Sequence, residues 1–431
     1  MARWCPARSR RDPELGRITL VTMGSWGDLF PFVGLGERLM KRGHDVRLAA
    51  SPAWEDIVTE ASVPFVGVGR RIGFEELGEH PEIFKPAASG LRHALGRFIF
   101  DQLEELSRDL HGAVDGADLA VIHPAHVVAQ NIAEALGVRR VVATVFPGMI
   151  PSSYTVPGGS PVGPWRGRVG RTANRLSWTT ARAVTAVMFD RHINRHRRAL
   201  GLDPLRSALF GLPLRADGIV VMASPHVIDS PPDWPDNVET TSFVTWDRGA
   251  HRPLDPTVEA FLAHGDAPVL VTLGTSSALD PADFFDVAVR ATLDQRARAL
   301  VVTGPAQSPP GLIGLDGVHV TDYASFSAVM PRCRAAIHHA GVGTTVEAIR
   351  AGIPEVAVPK GFDQPDTAAR IEKLGIGITV PWRKRRRGLA PALDRILSEP
   401  SFAERAATLG AHVRTEDGAS ASADVIERHL Q

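Results

Sequence analysis

The sequence predicts an α/β protein built on doubly wound parallel sheets, and three observations carry that prediction. Short apolar runs such as Ile18–Met23, Val46–Ala50 and Val269–Leu273 are followed by turns and then by helical apolar spacing. At 431 residues the chain is long enough for two or more domains with sizeable cores. A proline-rich passage, Pro231-Pro232-Asp233-Trp234-Pro235, interrupts the alternation near mid-chain and is the best linker candidate.

Residues 1–16 are Arg-rich and lack an apolar core stretch, so they read as a disordered basic extension rather than a signal peptide. The strand Ile18–Met23 runs into Gly24-Ser25-Trp26-Gly27-Asp28, and a helix is expected to begin near Pro31 with Phe32, Leu35, Gly36 and Leu39 inward. In open parallel sheets the ligand crevice lies at the carboxyl ends of strands, which is where Asp28 falls. The glycines here are spaced G-x-x-G, not G-x-G-x-x-G, which argues against a nicotinamide or flavin site. The strand Leu119–Ile122 ends in His123-Pro124-Ala125-His126, and another strand follows at Val141–Val145. Residues 147–170, rich in Pro, Gly and Ser, read as a long loop, and helix is expected from Arg171 to Leu200 with Trp178, Ala181, Val184, Val187 and Met188 on one side.

Beyond the linker, Val269–Leu273 ends in Gly274-Thr275-Ser276-Ser277, small hydroxyl residues suited either to phosphate oxygens or to capping a helix. The most informative stretch runs from Ile337 to Gln364. A short strand enters His338-His339-Ala340-Gly341-Val342-Gly343-Thr344-Thr345, a helix ends at Ala351-Gly352, and a second strand, Glu355–Val358, stops at Pro359. Glycines at a helix entry leave backbone N–H groups and the positive end of the helix dipole open to an anion, here read as a nucleoside diphosphate. The same letters permit a plainer reading, because Thr344-x-x-Glu347 fits a capping box and Asp363 an ordinary turn. Likewise Asp28 fits an ordinary helix cap.

At these residues the chain resembles the nucleotide-sugar-dependent glycosyltransferases of family one. The resemblance is to the bacterial natural-product branch and the related sterol glucosyltransferases. The signature H-H-x-G-x-G-T-T-x-E-A followed by D-Q-P is met by His338, His339, Gly341, Gly343, Thr344, Thr345, Glu347 and Ala348, then Asp363, Gln364 and Pro365. The resemblance implies a B-type fold, two Rossmann-like domains facing across a cleft, with a last helix crossing back to the first. It divides the chain into an acceptor-binding domain at 17–228, a linker at 229–252, a donor-binding domain at 253–415 and the returning helix at 416–431.

It also implies roles. Glu347 binds ribose hydroxyls, His339, Gly343 and Thr344 hold the diphosphate beside Gly341 and His338, and Asp363 and Gln364 grip the sugar. Thr275 and Ser276 touch the donor phosphates, and Tyr323 stacks on the base. On the other side Gly24, Ser25, Trp26 and Gly27 form the acceptor-side loop. Asp28 stands where plant members carry a catalytic histidine and is the implied general base, and His123, a second catalytic candidate, stands near their supporting acid, as though the two types had been exchanged.

Three positions depart from the pattern: Ser325 replaces a usual proline, Lys360 a usual uncharged residue, and Arg383-Lys384-Arg385-Arg386-Arg387 a mixed polar stretch. The basic run reads as an exposed loop, or as a weak peripheral contact with anionic lipid.

Composition excludes other classes. Basic and acidic residues balance, 48 against 48, so no net field favours nucleic acid. The two cysteines, Cys5 and Cys333, suggest neither a disulfide framework nor a metal cluster, which fits the cytoplasm. No Asp-x-Asp or His/Cys cluster points to a bound metal, and no cofactor is implied beyond a UDP- or dTDP-linked sugar as co-substrate. The implied partners are that donor and a lipophilic polyketide-, macrolide- or sterol-like acceptor, with oligomeric state open. No run is long and apolar enough for a transmembrane helix. The competing readings are a nucleotide-sugar epimerase, a non-catalytic nucleotide-sugar-binding protein and, least favoured, a dinucleotide oxidoreductase.

Overall fold

A computed structural model describes residues 15–84, 87–158, 160, 164–249, 253–275, 277–279, 281–304 and 309–431. The first sheet contains β1 (Arg17–Val21), β2 (Asp45–Ala50), β3 (Phe65–Gly67), β4 (Leu119–Ile122), β5 (Arg139–Thr144), β6 (Gly218–Val221) and β7 (Val238–Thr240), ordered β3-β2-β1-β4-β5-β6-β7. The second contains β8 (Val269–Thr272), β9 (Ala299–Val302), β10 (Val318–Thr321), β11 (Ala335–His338), β12 (Glu355–Ala357) and β13 (Gly377–Thr379), ordered β10-β9-β8-β11-β12-β13. The strand pairings in both are parallel.

This topology places the site. Each sheet reverses its winding once, between β1 and β4 and again between β8 and β11, and ligands bind outside the carboxyl ends of strands at such a switch. Register makes the loops there level with one another. Val21 pairs with Ala49 and Ile122, so the Gly24–Asp28 loop and His123 leave the sheet together. Val271 pairs with Val301 and Ile337, which does the same for the turns after β8 and β11.

The last helix, Gly418–Arg428, returns to the first sheet, where Ala423, Val425 and Ile426 join the core of Leu29, Phe32 and Leu35. Arg42 meets Asp424 and Glu427 at 2.7 Å each, and His44 Nε2 lies 2.9 Å from Glu427. The crossing requires glycine at its start, because a Cβ on Gly418 would sit 2.3 Å from the Phe243 carbonyl oxygen.

Several expectations are corrected. The first helix spans Trp26–Lys41, with Pro31 inside it, because Leu29 already bonds back to Ser25 and proline forfeits only one early hydrogen bond. The stretch 229–252 is not all connector, since β7 lies within it. The basic run opens the helix Arg385–Ser398 instead of forming a loop, and Arg385 and Arg386 both pair with Asp283. The expected apolar side of the Gly167–Thr185 helix also divides: Trp178 is 3 % exposed and Val187 88 %. Nine residues at 100° each place them on opposite faces. Of the basic extension, residues 1–14 lie outside the described residues, as does Cys5, and Cys333 is buried and free.

Candidate active site

The turn expected to hold the donor is set by β11 and the helix Val342–Ala351. The N-cap of that helix is Gly341, with Thr345 N–H donating to the Gly341 carbonyl at 3.0 Å. Thr344 therefore stands inside the first turn, and the capping-box reading of Thr344 and Glu347 does not hold. A glycine cap offers no side chain, so the first N–H groups of the helix need another acceptor.

Strand alternation separates the two histidines. His338 is fully buried: its Nδ1 accepts from Ala340 N–H at 3.1 Å, and its Nε2 lies 2.7 Å from Glu355 Oε2. Contrary to the expectation of a donor contact, it does not line the cavity, but it braces Ala340, whose φ of +63° is left-handed. His339 does line the cavity. Its ring is flanked by two glycines: a Cβ on Gly274 would come within 2.6 Å of it and one on Gly341 within 2.2 Å. Burial, with the neighbouring His338, pushes the His339 imidazole down to about 3, so it is neutral at neutral pH. Its Nδ1 is buried without a partner among the described residues.

From the first sheet comes Asp28. The cap of its helix is Ser25, so Asp28 is not the helix cap that sequence alone allowed. His123 Nε2 lies 3.6 Å from Asp28 Oδ1, an ion-pair rather than a hydrogen-bond distance. His123 Nδ1 accepts from Ala125 N–H at 3.3 Å, which assigns the ring proton to Nε2, facing the carboxylate. The exchanged pair is thus brought together. His126 instead caps its own helix by accepting from Ala129 N–H.

The two lobes meet at their glycines. A Cβ on Gly343 would lie 4.0 Å from the Gly27 Cα, and loops from both sheets line one cavity of about 540 Å³. Gly24, Ser25, Trp26, Gly27, Asp28 and His123 line it from one side; Thr275, Tyr323, His339, Gly341, Gly343, Thr344, Glu347, Asp363 and Gln364 line it from the other. Ser276 lies outside the described residues.

Burial pushes Glu347 up to about 7, with Asp247 adding to the shift. Asp363 also rises to about 7, chiefly through burial and then through the charge of Asp28 across the cleft, while a hydrogen bond from Val342 N–H opposes the rise. Because the folded value exceeds the unfolded one, stability from the neutral Asp363 is complete below about pH 4. It is lost as pH rises through about 7. Asp363→Asn is therefore expected to raise the unfolding temperature at pH 8 by roughly 2–4 °C and to have no such effect at pH 4. An equal shift at both pH values would show that the carboxyl group is solvated.

Other polar groups shape the loops. Gln364 Oε1 accepts from the N–H groups of Lys360 and Gly361 at 2.8 and 3.0 Å, and its Nε2 donates to Ser277 Oγ at 3.0 Å. The Lys360 ammonium lies 5.2 Å from the centre of the Trp382 ring. Ser325 and Ser327 hydroxyls each donate to Asp247 at 2.5 Å, so the serine in the proline position ties the base-side turn to the connector. The neighbouring connector residues bond the opposite lobe, Trp246 to Glu37 at 3.1 Å and Arg248 to Glu60 at 2.9 Å.

Sequence reasoning placed this linker but not the bonds its side chains make to both lobes, and it missed the apolar end of the cavity. That end is walled by residues such as Leu77, Leu91, Leu95, Phe98, Phe146 and Met149. Scattered Leu and Phe in helical spacing read as ordinary packing, and nothing local distinguishes a cavity wall from a core. Among the described residues one trio, His80, Glu82 and His93, places potential metal-binding atoms within 4.8 Å of one another. It belongs to the segment walling this end, apart from the donor turn.

Comparison with known proteins agrees with this geometry. Residues 18–147 match the glycosyltransferase family 28 N-terminal domain. Residues 277–426 match the erythromycin biosynthesis protein CIII-like C-terminal domain. The chain is 34% identical to O-mycaminosyltylonolide 6-deoxyallosyltransferase of Streptomyces fradiae, over 95% of this chain and 97% of that one. It is 30% identical to dTDP-epi-vancosaminyltransferase of Amycolatopsis orientalis, over 88% of each chain. Among solved structures, spinosyn forosaminyltransferase SpnP superposes with a TM-score of 0.69 at 17% identity, over 96% of this chain and 99% of that one, a likeness of fold. With both lobes matched and a relative of this identity along nearly its whole length, the chain belongs to the nucleotide-sugar-dependent glycosyltransferases of family one, in the branch of natural-product and sterol transferases.

Proposed function

We propose that this enzyme moves a hexose, with inversion, from a dTDP- or UDP-linked donor to a hydroxyl of a lipophilic polyketide-, macrolide- or sterol-like acceptor. The observation that carries this reading is the single cavity shared by Asp28 and the open helix mouth at Gly341–Thr344. Its apolar end suits the acceptor, and the names of the relatives point to deoxyhexose donors and antibiotic acceptors.

In the step proposed, the acceptor oxygen forms a bond to the anomeric carbon while the bond from that carbon to the β-phosphate oxygen breaks. The electron pair leaves with the diphosphate, and the acceptor proton passes to Asp28. His123, with its Nε2 proton facing Asp28, steadies the carboxylate in position. The growing charge on the diphosphate is met by N–H groups of Gly343 and Thr344 and by the neutral His339, donors fixed before the reaction begins. Charge stabilisation of this kind needs no metal ion. Glu347 accepts from the ribose hydroxyls, Tyr323 offers a half-exposed ring to the base, and Asp363 faces the sugar from the loop that the buried Gln364 amide braces.

The test is incubation with dTDP- and UDP-hexoses, with and without a panel of hydroxylated polyketides and sterols. A glycoside of inverted anomeric configuration, formed only when acceptor is present, is the expected product. A new sugar nucleotide from donor alone would establish an epimerase instead, and saturable donor binding without turnover on any acceptor would establish a binding protein. Glu347→Ala is expected to raise the donor KM by roughly tenfold with a smaller fall in kcat, the loss of about one charge-assisted hydrogen bond. A fall in kcat at unchanged KM would remove Glu347 from ribose binding.

A further inference from the structure

The helix Gly167–Thr185 and the turn after it carry surface that the catalytic site does not use. Between Pro161 and Leu200 the chain has nine arginines and a single acid, Asp190. Both Asp190 oxygens are taken by the N–H groups of Ser207 and Ala208 at 2.8 Å. Arg197 is buried against Glu134. The other eight arginines are half-buried or exposed, and none is paired with a carboxylate among the described residues. On a chain whose charges balance, this is a local concentration of unneutralised cations.

The same element exposes apolar side chains. Val169 is 85 % exposed, Leu176 62 % and Val187 88 %. A spacing of seven residues brings Val169 and Leu176 within about 20° of one line along the helix, and Val187 follows in the wider turn Ala186–Asp190 that continues it. Arg168 and Arg175 each precede a stripe member by one residue, about 100° round the helix, where a long stem can lie along the apolar surface and keep its charge in water. Two exposed aromatics, Tyr154 and Trp165, stand near the start of the helix, with the Arg171 guanidinium 5.5 Å from the Tyr154 ring centre.

We propose that this face docks on an anionic lipid bilayer. Exposed aliphatics in line, aromatics at one end, unpaired arginines on the flanks and no free acid are the makings of an interfacial helix. A partner helix suits the face less well. The positions three residues after Val169 and Leu176, which would complete a helical seam, are Thr172 and Thr179. Docking would hold the enzyme where lipophilic acceptors partition. The inference is independent of the catalytic proposal, because vesicle binding is read without turnover.

The test is cosedimentation of the full chain with phosphatidylglycerol-containing vesicles and with phosphatidylcholine alone, at low and high salt. Binding to the anionic vesicles only, weakened by salt, is the expected result. Val169→Ser with Leu176→Ser and Val187→Ser should abolish most of it. Arg166→Gln with Arg168→Gln and Arg175→Gln should weaken it by about fivefold per arginine. Both sets should retain turnover of a water-soluble acceptor. Neutralising Arg383, Lys384 and Arg387 should leave vesicle binding unchanged. Absence of binding by the parent overturns the proposal, as does binding that survives both sets. Sedimentation velocity supplies a further arm: self-association of the parent that the serine set abolishes would make the face an interface between copies and also overturn it.

Discussion

Asp28→Asn is expected to lower kcat by two decades or more while leaving donor affinity within about twofold of the parent, the range for a lost general base. The substitution keeps the shape of the side chain and the helix that bears it, since Ser25 and not Asp28 caps that helix. What it removes is the carboxylate facing the cavity, the proposed proton acceptor and the partner of His123 at 3.6 Å. It also removes a negative charge that helps hold Asp363 protonated. The variant should therefore show Asp363 ionising at lower pH, visible as an acidward shift in the pH dependence of donor binding. Single-turnover rates with saturating donor separate chemistry from binding. A variant that turns over at the parental rate would take Asp28 out of the reaction and leave the cleft with a different base.

Gly341→Ala should reduce kcat/KM by two to three decades, an effect comparable to loss of a preorganised donor to a developing negative charge. The backbone at Gly341, with φ of −66°, tolerates alanine, so the helix should still form. The added methyl, however, would lie 2.2 Å from His339 Nε2. The ring has no retreat, because Gly274 is packed against its other side at a separation that already excludes a Cβ. The imidazole must leave the position in the cavity from which, in the proposed step, it meets the diphosphate. Titration with the nucleoside diphosphate product should show the loss directly, with the unfolding temperature little changed. Product affinity equal to that of the parent would mean that His339 does not contact the leaving group.

Much of the fold was legible because its signals are local. Apolar runs followed by helical spacing gave the strands, and Pro231–Pro235 marked the region where the first sheet ends, although β7 lies beyond it. Boundaries went astray where a local rule was outweighed. Pro31 looked like a helix start and lies inside a helix, because the backbone bond from Leu29 to Ser25 has closed the first turn before it. Trp178, Ala181, Val184 and Val187, at every third residue, looked like one helical face, but a spacing of three drifts round a helix of 3.6 residues per turn.

Within the site, the glycine-rich turn between β11 and the helix Val342–Ala351 was legible from its letters, since a strand, two glycines and a helix start are contiguous in sequence. His338 and His339 could not be told apart that way. Only the pleat of β11 and the buried Glu355 on β12 send one ring into the core and leave the other in the cavity.

By itself, then, the sequence determined the class of fold, the family and the chemical inventory at each strand end, because these depend on residues close together in the chain. The tertiary structure alone decided which of those residues share a volume. Asp28 and His339 are more than three hundred positions apart, and they meet because each sheet opens at its own switch point and the returning helix fastens the two lobes face to face. The apolar end of the cavity and the unpaired outer face of the Gly167–Thr185 helix belong to the same category. Whether an apolar side chain ends in a core, a cavity wall or on the surface depends on what the rest of the chain places against it, and no local pattern encodes that.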